Sequence, residues 1–206
     1  MDKITSAYRL VIGIVISVSI ILFWANTISL DNHFWSLWVD INEEANLFTW
    51  FSATVFLALS VSSFMVVKHI SNYYFIGLGV LAGWLFFDES SQAHETIVSW
   101  LNPILPASWP DTFWLLSLPV VGLLVLLFVI YVVRTRGFPR QFLWLSILGI
   151  FIWGLALWAE FAQNNFAMND SVMRIWVFIE EYAEIYGAVM LILANYWVIK
   201  KFGIFK

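Results

Sequence analysis

Seven carboxylates in this chain, Asp88, Glu89, Glu95, Glu160, Glu180, Glu181 and Glu184, lie on or inside the ends of long apolar runs. A charged acid at the centre of a membrane helix costs on the order of 2.5–3.5 kcal/mol on insertion scales. A chain that places several there must neutralise them, and two means suit carboxylates: protons or a bound cation. Spacing sorts them into groups. Asp88, Ser91, Gln92 and Glu95 are related by i+3, i+4 and i+7, so one helix face would carry all four. Glu160, Gln163 and Asn164 share a face in the same way, as do Glu180 or Glu181 with Glu184.

Such oxygen-rich sets suit Ca²⁺, Mg²⁺, Mn²⁺ or Fe²⁺, and a histidine moves the choice toward Mn, Fe or Zn. His94 supplies one, in Asp88-Glu89-x4-His94-Glu95, and His33 is within reach from a preceding loop. Glu44 opens another apolar run. The candidate metal ligands are therefore Glu44, Asp88, Glu89, His94, Glu95, Glu160, Glu180, Glu181 and Glu184. A metal held by them could activate water or oxygen, with a spare carboxylate as general base. The plainer reading makes Glu43, Glu44 and Glu95 wet residues at a helix rim, where an acid near a helix N-terminus also suits the macrodipole.

The chemistry is that of di-iron carboxylate bundles, yet the Glu-x-x-His motif of those sites does not occur. Glu180-Glu181-Tyr-Ala-Glu184 opens with a Glu pair, as membrane glutamic proteases of the CAAX-processing kind do, but the arginine and partner histidines are missing. With no cysteine, thiolate sites and disulfides are excluded. No nucleotide-binding glycine pattern, haem-like histidine pair or serine-hydrolase motif occurs, and no nucleic-acid partner is expected.

The elements that carry these residues follow from hydropathy. The chain has 206 residues, is 62% hydrophobic and 19% aromatic, and has a mean hydropathy of +0.85. Runs of about 20 apolar residues match a bilayer core of about 30 Å. Six are present, at 8–29, 45–67, 72–95, 112–133, 141–163 and 173–199. They predict an all-α, polytopic membrane protein, one bundle of six transmembrane helices, the first a retained signal-anchor.

Charge predicts the topology. Lys3, Arg9, Lys68, Arg134, Arg136, Arg140, Lys200, Lys201 and Lys206 fall at the termini and in two loops, whereas only Arg174 falls on the other side. Cytoplasmic loops carry the Lys/Arg excess, so both termini are expected in the cytoplasm. Thirteen of the fourteen acids then fall toward the outer side. Trp35, Trp38, Trp100, Trp109, Trp114, Trp158 and Trp176 also fall there, as an aromatic belt would. The Pro-broken segment 100–110 reads as an interfacial loop over that face.

Depth joins the acids. At about 1.5 Å per residue, Asp88 lies roughly 24 Å, Glu160 roughly 28 Å and Glu184 roughly 22 Å from the inner ends of their helices. Four helices would deliver acids to one outer slab. Three function classes fit: a metalloenzyme acting on a lipid or amphiphile at the outer leaflet, a structural or sensory subunit with a protonated carboxyl cluster, and a proton or divalent-cation transporter. Transport needs a polar path along whole helices. The inner stretches Phe75 to Ala82, Val189 to Ala194 and 113–133 are apolar, and Asn195 reads as one isolated amide. An outward-facing cation site is therefore the leading expectation. Membrane lipids, other membrane subunits or further copies of the chain are the expected partners.

Overall fold

The computed structural model describes residues 3–29, 47–70, 72–91, 122–123, 125–130, 134, 137–166 and 168–204. Of these, 93% are helical and none is in a strand. Five helices follow in order: α1 (Lys3–Ser29), α2 (Leu47–His69), α3 (Tyr73–Ser91), α4 (Arg140–Asn165) and α5 (Asp170–Phe202). Further helical backbone occurs at 125–130, inside the run expected at 112–133; most of that run lies outside the described residues. Packing divides the chain into two compact units, Met1–Phe51 and Ser52–Lys206.

Local chemistry sets the helix ends. At the start of α3, the Asn72 side chain accepts from the Tyr74 N–H at 2.9 Å. Asn169 does the same for α5, accepting from the Val172 N–H at 3.0 Å, so this helix begins at Asp170 and not at 173. Its far end closes on Gly203, whose φ of 63° is the left-handed conformation that glycine adopts without a Cβ clash. Lys200 and Lys201 in that last turn face the negative end of the helix dipole. Pro139 precedes α4 and fixes the chain entering it, after Gly137 turns it at φ 63°.

α2 and α4 (the latter over Arg140–Gln163) are long and apolar enough to cross a membrane. α1 contains a shorter apolar stretch, Ile12–Ala25. In α3 the apolar run meets Asp88 and Glu89, and in α5 it is interrupted by Glu180, Glu181 and Glu184, which lowers the hydropathy of both.

Within the second unit, small residues set how closely helices approach. Gly79 and Gly83 of α3 lie four apart and face α2, where a Cβ on Gly79 would come within 3.1 Å of the Phe64 ring. The Ser60 hydroxyl donates to the Gly79 carbonyl at 2.8 Å across that contact. α4 and α5 approach through Gly149 and Gly187: a Cβ on Gly149 would meet the Gly187 carbonyl at 2.9 Å. Close backbone approach at small residues is how helices associate where lipid supplies no hydrophobic drive.

An aromatic cluster closes one end of this unit. Phe138 lies 5.2 Å from Phe142, 5.9 Å from Phe75 and 5.8 Å from Phe202, ring centroid to centroid. It ties the end of α5 to the beginnings of α3 and α4. That end also carries Lys68, His69, Arg140, Lys200 and Lys201.

Candidate functional site

The described glutamates of the second unit lie toward its opposite end, and four of them act on a fifth. Glu184, on α5, is acted on electrostatically by Glu89 of α3, Glu160 of α4, and Glu181 and Glu180 of its own helix. Among the described residues every charge acting on Glu184 is another carboxyl. All five glutamates, and Asp88, are partly buried, whereas Asp170 is exposed.

Three neighbours hold these glutamates. From α2 the Ser52 hydroxyl donates to Glu89 Oε2 at 2.9 Å. From α4 the Gln163 amide donates to Glu180 Oε2. Also from α4, the Trp153 indole N–H donates to the Glu184 backbone carbonyl at 2.9 Å. The glycine at 187 makes this last bond geometrically possible, since a Cβ there would stand 2.4 Å from Trp153 Cδ1. The indole lies in the space a side chain would fill. On the α5 surface Phe178, Tyr182 and Tyr186 stack at i, i+4 and i+8, with centroid separations of 4.3 Å and 6.2 Å.

Of the nine residues that the sequence nominates, Glu89, Glu160, Glu180 and Glu181 are the charges that act on a fifth, Glu184. Asp88 is described on α3 and is not among the charges acting on Glu184. Glu44, His94 and Glu95, with His33 and Gln92, lie outside the described residues. Ser90 and Ser91 are exposed, and their hydroxyls donate to the carbonyls of Phe86 and Phe87 on their own helix, at 2.6 and 2.7 Å. Among the described residues no three His, Asp or Glu side chains converge closely enough to hold a metal ion. The four glutamates act on Glu184 without sitting as ligands around one point.

Asn195 is not the isolated amide that its sequence context suggests. It is fully buried, and its Nδ2 donates to the hydroxyls of Ser62 and Ser63 at 3.0 Å each. Both serine hydroxyls in turn donate to the Leu59 carbonyl, at 2.9 and 2.8 Å. The Asn195 Oδ1 has no donor among the described residues. This network joins α2 to α5 well away from the carboxyls, about 16 Å along α5 from Glu184 at 1.5 Å per residue.

The class that emerges is an all-helical protein with two helices long and apolar enough to cross a membrane. The chain belongs to the family described as Domain of unknown function (DUF8692), which matches residues 9–198. No curated protein and no solved structure matches it.

Proposed function

We propose that the chain is a multi-pass membrane protein with six spans and both termini in the cytoplasm, and that its outward carboxyl layer takes up a divalent cation. One observation carries the proposal: the charges acting on Glu184 are four further glutamates, from three helices, and each is negative. Such a layer gains from any positive charge that enters it. Glu44, His94 and Glu95 are the side chains that would complete a ligand set. A metal there would meet amphiphiles of the outer leaflet, and water activation by it is the enzymatic form of the proposal.

The membrane part draws on a further feature. Along α4, Trp144, Leu148, Phe151, Leu155 and Trp158 recur at intervals of four and three, and all five are exposed, Trp144 at 67% and Phe151 at 63%. Soluble proteins rarely expose a continuous apolar surface of this kind. Tryptophans stand at both ends of the stripe, roughly 21 Å apart, as rings at two headgroup levels would.

A second reading has its own support. Ser52 and Gln163 already donate to Glu89 and Glu180, so hydrogen bonds from neighbouring helices hold these carboxyls, as a structural or sensory subunit requires. Elemental analysis and thermal melts of the detergent-purified protein separate the two. Under the cation reading a metal co-purifies, and Mn²⁺, Fe²⁺, Zn²⁺, Ca²⁺ or Mg²⁺ raises the melting temperature with the logarithm of its free concentration above Kd. Protons compete for the same oxygens, so the rise shrinks as pH falls, and Glu181→Gln with Glu184→Gln abolishes it. Melts that ignore both EDTA and added metals from pH 5 to 8 would leave the proton-bearing layer.

A further inference from the structure

The cation-rich end of the second unit has an arrangement that the carboxyl layer does not use. Arg140 is exposed at the first position of α4, directly above the apolar stripe: 140, 144, 148, 151 and 155 follow one another at i+4, i+4, i+3 and i+4 on one helix face. Beside it, Lys201 of α5 reaches across to donate to the Gly137 carbonyl, three residues before Arg140. An ammonium has three donors, so this bond fixes the position of Lys201 and leaves two for another acceptor. Lys200, in the same turn, stands over the Trp197 and Tyr196 rings at 5.2 and 5.9 Å. The described acids, Asp88, Glu89, Glu160, Asp170, Glu180, Glu181 and Glu184, all belong to the opposite ends of their helices or to the first half of α5. Nothing described at this corner offsets its three positive charges.

We infer that this corner binds an anionic phospholipid, with the phosphate between Arg140 and Lys201 and an acyl chain along Trp144, Leu148, Phe151 and Leu155. The inference rests on the membrane reading above. Charge selects the headgroup: a zwitterionic lipid brings its own cation toward Arg140, Lys200 and Lys201, whereas a net-negative one does not. The stripe selects a lipid over a free anion, because inorganic phosphate leaves the face below Arg140 uncovered. A guanidinium can also grip a phosphate through two parallel N–H bonds, which an ammonium cannot do.

Native mass spectrometry of the full chain in detergent, with phosphatidylglycerol and phosphatidylcholine of matched chains in competition, tests it. Phosphatidylglycerol should be retained in preference. Arg140→Gln should reduce that preference about fivefold, the effect of one interfacial cation. Arg140→Lys should recover only part of it, and Leu148→Ser with Phe151→Ser should weaken both lipids alike. Circular dichroism of each variant checks that the helices persist; because Arg140, Leu148 and Phe151 are exposed, they should. Equal retention of the two lipids, or an Arg140→Gln protein with unchanged preference, would overturn the inference. So would inorganic phosphate displacing phosphatidylglycerol at equal concentration, which would assign the corner to a soluble anion. Extraction of the protein from membranes by alkaline carbonate would instead remove the membrane reading itself, so the two failures are distinguishable.

Discussion

Residue by residue, the polar groups of this chain divide into those that satisfy one another and those that repel. Glu184 belongs to the second kind, since each charge acting on it is a carboxyl. Gln has nearly the same shape and no charge, so Glu184→Gln should leave the melting temperature in metal-free buffer at pH 7 unchanged or higher. A clear fall would mean that a positive partner holds Glu184. Asn195 belongs to the first kind, with both amide protons on serine oxygens. Its Oδ1 lacks a donor among the described residues, so Asn195→Leu removes that acceptor together with two hydrogen bonds, and interhelical bonds in membranes average only about 0.6 kcal/mol each. Stability should change by less than about 1–2 kcal/mol. Asn195→Asp keeps the size but deletes the donors and buries a charge, and should cost about 3 kcal/mol or more at neutral pH. Reversible unfolding in mixed detergent reads both. A Leu variant as damaged as the Asp variant would show that the network matters for more than its hydrogen bonds.

Among the elements, the pair α4 and α5 shows how much of the arrangement can be read from sequence. Hydropathy finds α4 to within one residue at its start, because Pro139 and the apolar run mark it. It also groups Glu180 or Glu181 with Glu184, since i+3 and i+4 are properties of one helix. Asn169 is a capping residue that moves the start of α5 three residues earlier than the hydropathy of the run suggests. The contacts between helices are a different matter. Ser62 and Ser63 lie more than 130 residues from Asn195, and in sequence they look like ordinary small residues of an apolar helix. Likewise nothing near Ser52, close to the start of α2, announces Glu89, close to the end of α3. Gly187 is the sharpest case, because its lack of a side chain matters only against Trp153. Gly187→Ala should force the indole away, break its bond to the Glu184 carbonyl and cost about 1–3 kcal/mol. Trp153→Leu in the same chain should recover part of that loss, and the double-mutant cycle should show a coupling of about 0.5 kcal/mol or more. Strictly additive effects would mean that the two residues do not share this contact.

For the whole molecule, the segregation of charge orders everything else. In the second unit Lys68, Arg140, Lys200 and Lys201 lie at the aromatic end, whereas the partly buried glutamates, and Arg174 near the start of α5, lie toward the other. α5 runs through both. Its 33 residues span roughly 50 Å, well beyond an acyl core of about 30 Å. With Lys200 and Lys201 at one headgroup level, Glu184 then lies roughly 24 Å away, near the far edge of the acyl core, and Asp170 and Arg174 project beyond it. The same helix therefore fits a bilayer in only one sense if the positive-inside rule holds, with its cationic end in the cytoplasm. The proposed six spans agree with that placement, with Lys206 and the 135–140 segment inside and Ala107 outside. Reporter fusions at Lys206 and at 135–140 should both read cytoplasmic, and one at Ala107 external. Moving positive charge should test the cause: Lys200→Gln and Lys201→Gln with Asp170→Lys and Ser171→Lys reverses the bias across α5 and should yield a fraction of chains with the C-terminal reporter outside. If all three fusions in the unaltered chain read the same side, the six-span arrangement fails. If Lys206 alone reads external, an odd number of crossings separates it from the 135–140 segment, and the six-span arrangement fails as well.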